Sequence, residues 1–220
     1  MSAPRLALVD YGMGNRRSVE KALEHVGARV ALTADRVQLR AADALVLPGV
    51  GAFPAAMRRI ETLGLDELII ERVGAGVPLL GICLGMQLLF ERSDELEPTV
   101  GLGLMSGEVT RLDGGGARLP HIGWSEVHFE RSSPLTGGEL PADRPYYHVH
   151  SFAARPADPG DLVATAQYGE RFATVVARDA VFGVQFHPEK SSADGLELLS
   201  NFVVFVGGHA ASRRGAVASA

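Results

Sequence analysis

Pro78–Glu91 reads PLLGICLGMQLLFE. An apolar run of strand length, Pro78–Ile82, leads without a break into Cys83, and glycines stand two residues before and two after that cysteine. From Leu84 to Glu91 the apolar positions recur with helical spacing, which predicts a helix there. A strand turning straight into a helix around a glycine-flanked residue is the steric signature of a nucleophile elbow. The central residue takes a strained conformation, and side chains at the flanking positions would collide with the turn. A single cysteine closing an apolar strand is ordinarily an inert small hydrophobe. The two glycines change that reading, as does a helix whose N-terminus would face the sulfur and favour its thiolate. Cys83 is therefore a candidate nucleophile.

Upstream, Arg5–Tyr11 (RLALVDY), Val30–Thr33 and Ala44–Leu47 read as short buried strands. The first is stopped by Gly12-Met13-Gly14 and the third by Pro48-Gly49-Val50-Gly51. Asn15 is placed to cap a helix running to about Val26, with Gly27 as its stop. Pro54 opens a helix through Ile60, and Leu65–Val73 is a further helix ended by Gly74. This alternation predicts a parallel sheet covered on both faces. After about Gly101 the pattern changes to short candidate strands between Gly/Pro/Asp turns, at 108–112, 126–129, 146–150, 162–168, 173–178 and 181–186. Leu196–Val206 is an amphipathic helix, and the Gly/Ala/Arg/Ser-rich stretch from Gly207 is expected to fray. No repeat, linker or composition break divides the chain. The expectation is a single α/β domain over residues 1–206, flavodoxin-like, with a central mostly parallel sheet flanked by helices and an antiparallel extension. Residues 207–220 are expected to form a flexible tail.

Composition narrows the function classes. With 220 residues, 46% of them apolar and 21% charged, the chain can bury a full core, which excludes disordered, collagen-like and disulfide-framework classes. A net charge of −5 argues against a nucleic-acid binder. One cysteine excludes an internal disulfide and a cysteine-built zinc site. The first apolar run has one basic residue before it and meets a charge and glycines at once, so it reads as a strand rather than a secretory leader. No stretch approaches the roughly 18 apolar residues of a membrane span. A cytoplasmic protein without cofactor or metal is expected.

A thiolate nucleophile needs a base, and the base needs an orienting group. GVQFHPE at Gly183–Glu189 supplies both: His187 follows a strand, Pro188 fixes the backbone beyond it, and Glu189 lies two residues on. Gly49-Val50-Gly51 leaves a strand at the end where α/β ligand sites lie, so its backbone N–H groups can face a developing oxyanion. The N–H of Leu84 is a natural second donor. Two other signals carry less. Gly12-x-Gly14 with Asp35 about twenty residues on is half of a dinucleotide fingerprint, but Arg17 stands where the third glycine would be. His148 and His150 share one strand face, as metal ligands would, without a third ligand nearby.

GICLGMQ around Cys83, PGVGAF at Pro48–Phe53 and GVQFHPEKSS at Gly183–Ser192 together resemble the triad-type, class I glutamine amidotransferases. DYGMGN at Asp10–Asn15, PHIGW at Pro120–Trp124 and YYHVHSF at Tyr146–Phe152 are similar to the branch formed by the glutaminase subunits of imidazole glycerol phosphate synthases. The resemblance runs from about residue 5 to 205. It implies that Cys83 attacks the carboxamide of glutamine, His187 shuttles the proton and Glu189 orients His187. It also implies an oxyanion hole at Val50, Gly51 and Leu84, and glutamine binding by Gly49, Gln87, Glu95, His150, Ser151 and Phe152. The implied partner is a (β/α)8 cyclase subunit, in a heterodimer docked at Gly12, Asn15 and Trp124, which receives ammonia and gates the glutaminase. Ser125, where the family has asparagine, and Phe152, where tyrosine is common, are departures outside the triad. Three rivals remain: a sister glutaminase serving another synthase, a cysteine hydrolase of the same fold, which would have no use for Gln87 and Glu95, and a non-catalytic scaffold with a vestigial triad, against which the presence of all three residues argues.

Overall fold

The computed structural model describes residues 3–218. Its first half alternates largely as the sequence predicts, with α2 an addition that the sequence reading missed: β1 (Arg5–Val9), α1 (Arg16–His25), β2 (Arg29–Thr33), α2 (Arg36–Ala41), β3 (Ala44–Gly49), α3 (Phe53–Thr62), α4 (Leu65–Gly74), β4 (Leu79–Cys83) and α5 (Leu84–Gln87). Strands then dominate: β5 (Phe90–Ser93), β6 (Thr99–Val100), β7 (Met105–Arg111), β8 (His121–Phe129), β9 (Arg144–His150), β10 (Phe152–Pro156), β11 (Leu162–Tyr168), β12 (Glu170–Arg178) and β13 (Val181–Val184). Helix α6 (Ser192–Ala218) follows.

One sheet holds nine of these strands in the order β2-β1-β3-β4-β13-β12-β11-β8-β9. Pairing is parallel from β2 to β13 and antiparallel from there on, so the expected extension is continuous with the parallel half. β3 and β4 are buried along their whole length, as strands covered on both faces must be. Successive residues serve opposite cores. Leu6, Leu8 and Val46 pack with α1 and α6, whereas Ala7, Val9, Leu45 and Leu47 pack with α3 and α4. β13 returns between β4 and β12, with Val184 opposite Ile82, while Gly49 of β3 lies opposite Cys83. The Gly49–Gly51, Cys83 and His187 segments therefore leave one edge of the sheet side by side.

Three local expectations differ from the structure. The helix expected over 84–91 stops at Gln87, and Phe90–Ser93 is instead a strand of a second, four-stranded sheet ordered β10-β7-β5-β6. Partners on both sides, β7 and β6, outweigh the helical spacing of a short apolar run. Asn15 stands at the N-cap of α1 without capping it, because its side chain reaches Glu189. Helix α6 continues through Gly207 and Gly208 to Ala218, over most of the stretch expected to be a flexible tail. His209 Nε2–H donates to the Gly76 carbonyl at 2.8 Å and Ala210 is buried, so this part of the helix is anchored. Residues 219 and 220 lie outside the described residues.

A Cβ at Gly85 would stand 1.7 Å from the Leu47 carbonyl oxygen, whereas one at Gly74 would meet nothing within 4 Å. Gly85→Ala is expected to lose more than about 4 kcal/mol of stability, and Gly74→Ala to be neutral or to gain up to about 1 kcal/mol. Thermal and urea unfolding of the two variants checks both values.

Candidate active site

Cys83 closes β4 with φ +55° and ψ −112°, a conformation that few non-glycine residues adopt. The flanking glycines make it possible. A Cβ at Gly81 would sit 2.5 Å from the Gly85 oxygen, and one at Gly85 would strike Leu47. The sulfur faces a single helical turn, Leu84–Gln87, rather than the longer helix that the spacing predicts.

His187 leaves the neighbouring strand, and its backbone N–H donates to the Tyr147 carbonyl at 2.9 Å. A 3-10 turn at Pro188–Lys190 brings Glu189 back onto the imidazole, so that His187 Nδ1–H donates to Glu189 Oε1 at 3.0 Å. Burial lowers the His187 pKa, but hydrogen bonds with Cys83 and Glu189 and the charge of both raise it further, to about 10. The Glu189 side chain is only 1% exposed. Asn15 Nδ2–H donates to its Oε1 at 3.4 Å, and its Oε2 has no hydrogen-bond partner among the described residues.

Beside these three residues lies a cleft of about 180 Å³, lined by Val50, Gly51, Cys83, Leu84, Gln87, Glu95, Val149, His150, Ser151, Phe152, His187 and Lys190. It is smaller than a drug-sized site and suits a small metabolite. Gln87 Nε2 donates both its hydrogens, to the Phe152 carbonyl at 2.9 Å and to Gln185 Oε1 at 3.0 Å. Its Oε1 is left for a ligand N–H. Glu95 Oε2 accepts from the Phe53 N–H at 2.8 Å, which fixes the carboxylate at the cleft wall. Gly49, expected among the glutamine contacts, does not line the cleft. It is a spacer, because a Cβ there would lie 2.7 Å from both Leu84 Cβ and the Tyr11 hydroxyl.

Several residues here escaped the sequence reading. Buried Tyr11 donates to the Pro48 carbonyl at 2.6 Å and so pins the base of the Gly49–Gly51 segment. Gln185, fully buried, donates from Nε2 to the Cys83 sulfur at 3.7 Å. His148 and His150 spend all four ring nitrogens on Tyr146, Thr174, Phe152 and His121, so neither is free to hold a metal. Trp124 is half exposed on the outer face of β8 beside Ile122, which the sequence reading missed, and packs against Tyr147 with Lys190 over the same ring. Gly12 takes φ +88° at the tip of its turn, where its N–H donates to Asp10.

The family model for glutamine amidotransferase class-I matches residues 7–206. This chain belongs to the class-I glutamine amidotransferase family. The amidotransferase is 48% identical over 197 residues to the imidazole glycerol phosphate synthase subunit HisH of Moorella thermoacetica, a match covering 90% of this chain and 93% of that one. It is also 48% identical over 208 residues to the same subunit of Methylococcus capsulatus, covering 90% and 95%. Among solved structures it is similar to PurLQS from Thermotoga maritima (TM-score 0.74, 21% identity, 93% of this chain and 99% of that one). A structure described as a glutamine amidotransferase gives a TM-score of 0.72 at 20% identity, over 91% and 98% of the two chains. These two structures speak to the amidotransferase fold alone.

The raised His187 pKa sets a pH dependence. A value above the unfolded 6.5 means that the His187 contacts stabilise the fold fully below pH 6.5 and lose that contribution as pH rises through about 10. Glu189→Gln removes one of the groups holding the value up, so the loss moves to lower pH. An NMR titration of the His187 ring checks this; a midpoint near 6.5 in both proteins would contradict it.

Proposed function

We infer that this chain is the glutaminase subunit of an imidazole glycerol phosphate synthase. It hydrolyses glutamine to glutamate and ammonia and passes the ammonia to a (β/α)8 cyclase subunit. There it enters imidazole glycerol phosphate, with aminoimidazole carboxamide ribotide as co-product, in histidine biosynthesis. The observation that carries the reading is an elbow cysteine facing a buried His–Glu couple in an amidotransferase nearly half identical to such subunits over 90% of its length.

The chemistry assigned to these residues balances. With its pKa raised to about 10, His187 already holds the Cys83 proton on Nε2 near neutral pH, and Sγ attacks the carboxamide carbon of glutamine as the thiolate. Glu189, on Nδ1, keeps that nitrogen protonated and so turns Nε2 toward the sulfur. The tetrahedral oxyanion is received by the backbone N–H groups of Gly51 and Leu84, with the Val50 peptide beside them. His187 returns the proton to the leaving nitrogen, the C–N bond breaks, and ammonia departs from a glutamyl thioester. Water, deprotonated by His187, then displaces the thiol and yields glutamate. Glu95 pairs with the α-ammonium of glutamine, and Gln87 Oε1 and the His150–Phe152 segment complete the clamp.

Protonated ammonia is no nucleophile, so a sealed docking face serves the reaction. Trp124 and Ile122 on β8 and the Gly12–Asn15 turn are assigned to it, and Asn15 joins that turn directly to Glu189. A nucleophilic thiol must stay reduced, which suits the cytoplasm. The clamp at Gln87 and Glu95 favours this reading over a same-fold cysteine hydrolase.

Glutamate release, measured for the chain alone and then with the cyclase and its ribonucleotide substrate, is expected to rise strongly only in the full mixture. Equal, fast hydrolysis in both would move the function to an ungated hydrolase or another synthase. Cys83→Ser should abolish glutamine-dependent synthesis and leave ammonia-supported synthesis intact; loss of both would assign the cysteine to folding or docking. Glu95→Ala should raise the glutamine KM about 10- to 100-fold, the worth of a charged hydrogen bond. An unchanged KM would favour the hydrolase.

A further inference from the structure

An unbroken line of hydrogen bonds joins the middle of β8 to the nucleophile. Ser125 Oγ meets His121 Nε2 at 2.8 Å, and His121 Nδ1 meets His150 Nε2 at 3.1 Å. His150 Nδ1 meets the Phe152 carbonyl at 2.9 Å. The same carbonyl accepts from Gln87 Nε2, which also donates to Gln185 Oε1, and Gln185 Nε2 reaches the Cys83 sulfur. None of these contacts was foreseen from the sequence, and Ser125 and His121 lie outside the cleft.

The Phe152 carbonyl gives the whole line one direction, because it can only accept. His150 Nδ1 must therefore carry a hydrogen, which makes Nε2 of a neutral ring an acceptor. His121 must then donate from Nδ1 and accept at Nε2, and the Ser125 hydroxyl must donate. Both rings are buried, and burial lowers both pKa values, that of His150 to about 4, so the neutral forms prevail near pH 7. The carbonyl likewise turns the Gln87 amide so that its nitrogen faces inward and its oxygen stays free. Gln185 then receives a hydrogen at Oε1 and presents its own N–H to the sulfur. The His121 ring is held in plane between Tyr168, at 4.1 Å between centroids, and His148, at 5.1 Å, both stacked at 20°.

We propose that Ser125 and His121 are positioning residues for glutamine hydrolysis. The line of hydrogen bonds that begins at Ser125 holds the Gln87 amide in the orientation that receives glutamine and the Gln185 amide in the orientation that donates to Cys83. This rests on the functional reading above, in which Gln87 binds glutamine and Cys83 attacks it. Ser125 is the residue after Trp124, so the strand that carries the docking face also fixes the geometry at the sulfur. Without the serine hydroxyl, His121 Nε2 loses its donor, and the His121–His150 pair is held less firmly against the Phe152 carbonyl that also receives the Gln87 amide. Any shift of that carbonyl moves the Gln87 amide with it.

The test is steady-state glutaminase and synthase kinetics of the assembled complex with Ser125→Ala, Ser125→Thr and His121→Phe. The last variant keeps a ring for the stack and removes both nitrogens. Ser125→Ala is expected to lower kcat/KM for glutamine about five-fold, mainly through KM, and His121→Phe by about ten-fold or more. Ser125→Thr, which keeps the hydroxyl, should restore the rate to within about two-fold. Ammonia-supported synthesis and cyclase affinity should be unchanged in Ser125→Ala. Wild-type kcat/KM in Ser125→Ala, or a loss that Ser125→Thr does not restore, overturns the proposal. A change in cyclase affinity that accounts for the whole loss also overturns it. Absence of glutamine-dependent synthesis by the unaltered complex would overturn the functional reading itself, which separates the two failures.

Discussion

The missing side chain at Gly85 lets the turn after Cys83 press against the Leu47 carbonyl, closer than any Cβ would allow. Much of the site follows from that approach. With the elbow seated against β3, Gly49 can lie against Leu84 and Tyr11, and the Val50–Gly51 segment leaves β3 over the sulfur rather than away from it. The strain at Cys83, at φ +55°, is held by the same packing. Tyr11 reinforces it from below by taking the Pro48 carbonyl. The strained cysteine, the Val50–Gly51 segment and the floor of the cleft thus depend on one backbone contact.

Electrostatics adds a second layer. A carboxylate as buried as that of Glu189 is costly unless it is paired and hydrogen-bonded, and here the imidazole and Asn15 supply the partners. The couple raises the histidine pKa while three buried imidazoles nearby, His121, His148 and His150, have theirs lowered by burial. Environment alone therefore separates His187 from its three histidine neighbours, since every one of them is the same side chain.

The parts legible in the sequence were those governed by local sterics. Gly81 and Gly85 announce the elbow because no other residue fits there, and the alternation of strand and helix up to Gln87, α2 excepted, follows from short apolar runs ended by glycine or proline. What was illegible depends on partners distant in the chain. Phe90 and Glu91 fall within the run of helical spacing from Leu84, and only β6 and β7 make Phe90–Ser93 a strand. Asn15 has the composition of a cap, yet its amide serves a carboxylate 174 residues away. Gln185 stands between apolar neighbours with nothing local to mark it as a donor to sulfur. Ile122 is apolar and would ordinarily be assigned to the core, and only the outward face of β8 shows otherwise.

The position of β13 carries a consequence for how the molecule is made. This strand is the last of the sheet in chain order but lies at its centre, between β4 and β12. Before it is in place, the parallel and antiparallel halves share no strand-to-strand hydrogen bonds within the sheet, and the segment bearing His187 has no fixed relation to Cys83. Pairings of such long sequence separation form late and slowly, because their loop-closure entropy must be met before they contribute. The strand that joins the two halves is therefore the last of the sheet to be synthesised, and only after it are His187 and Cys83 held side by side. Hydrolytic activity in this molecule is a report that the whole sheet has closed.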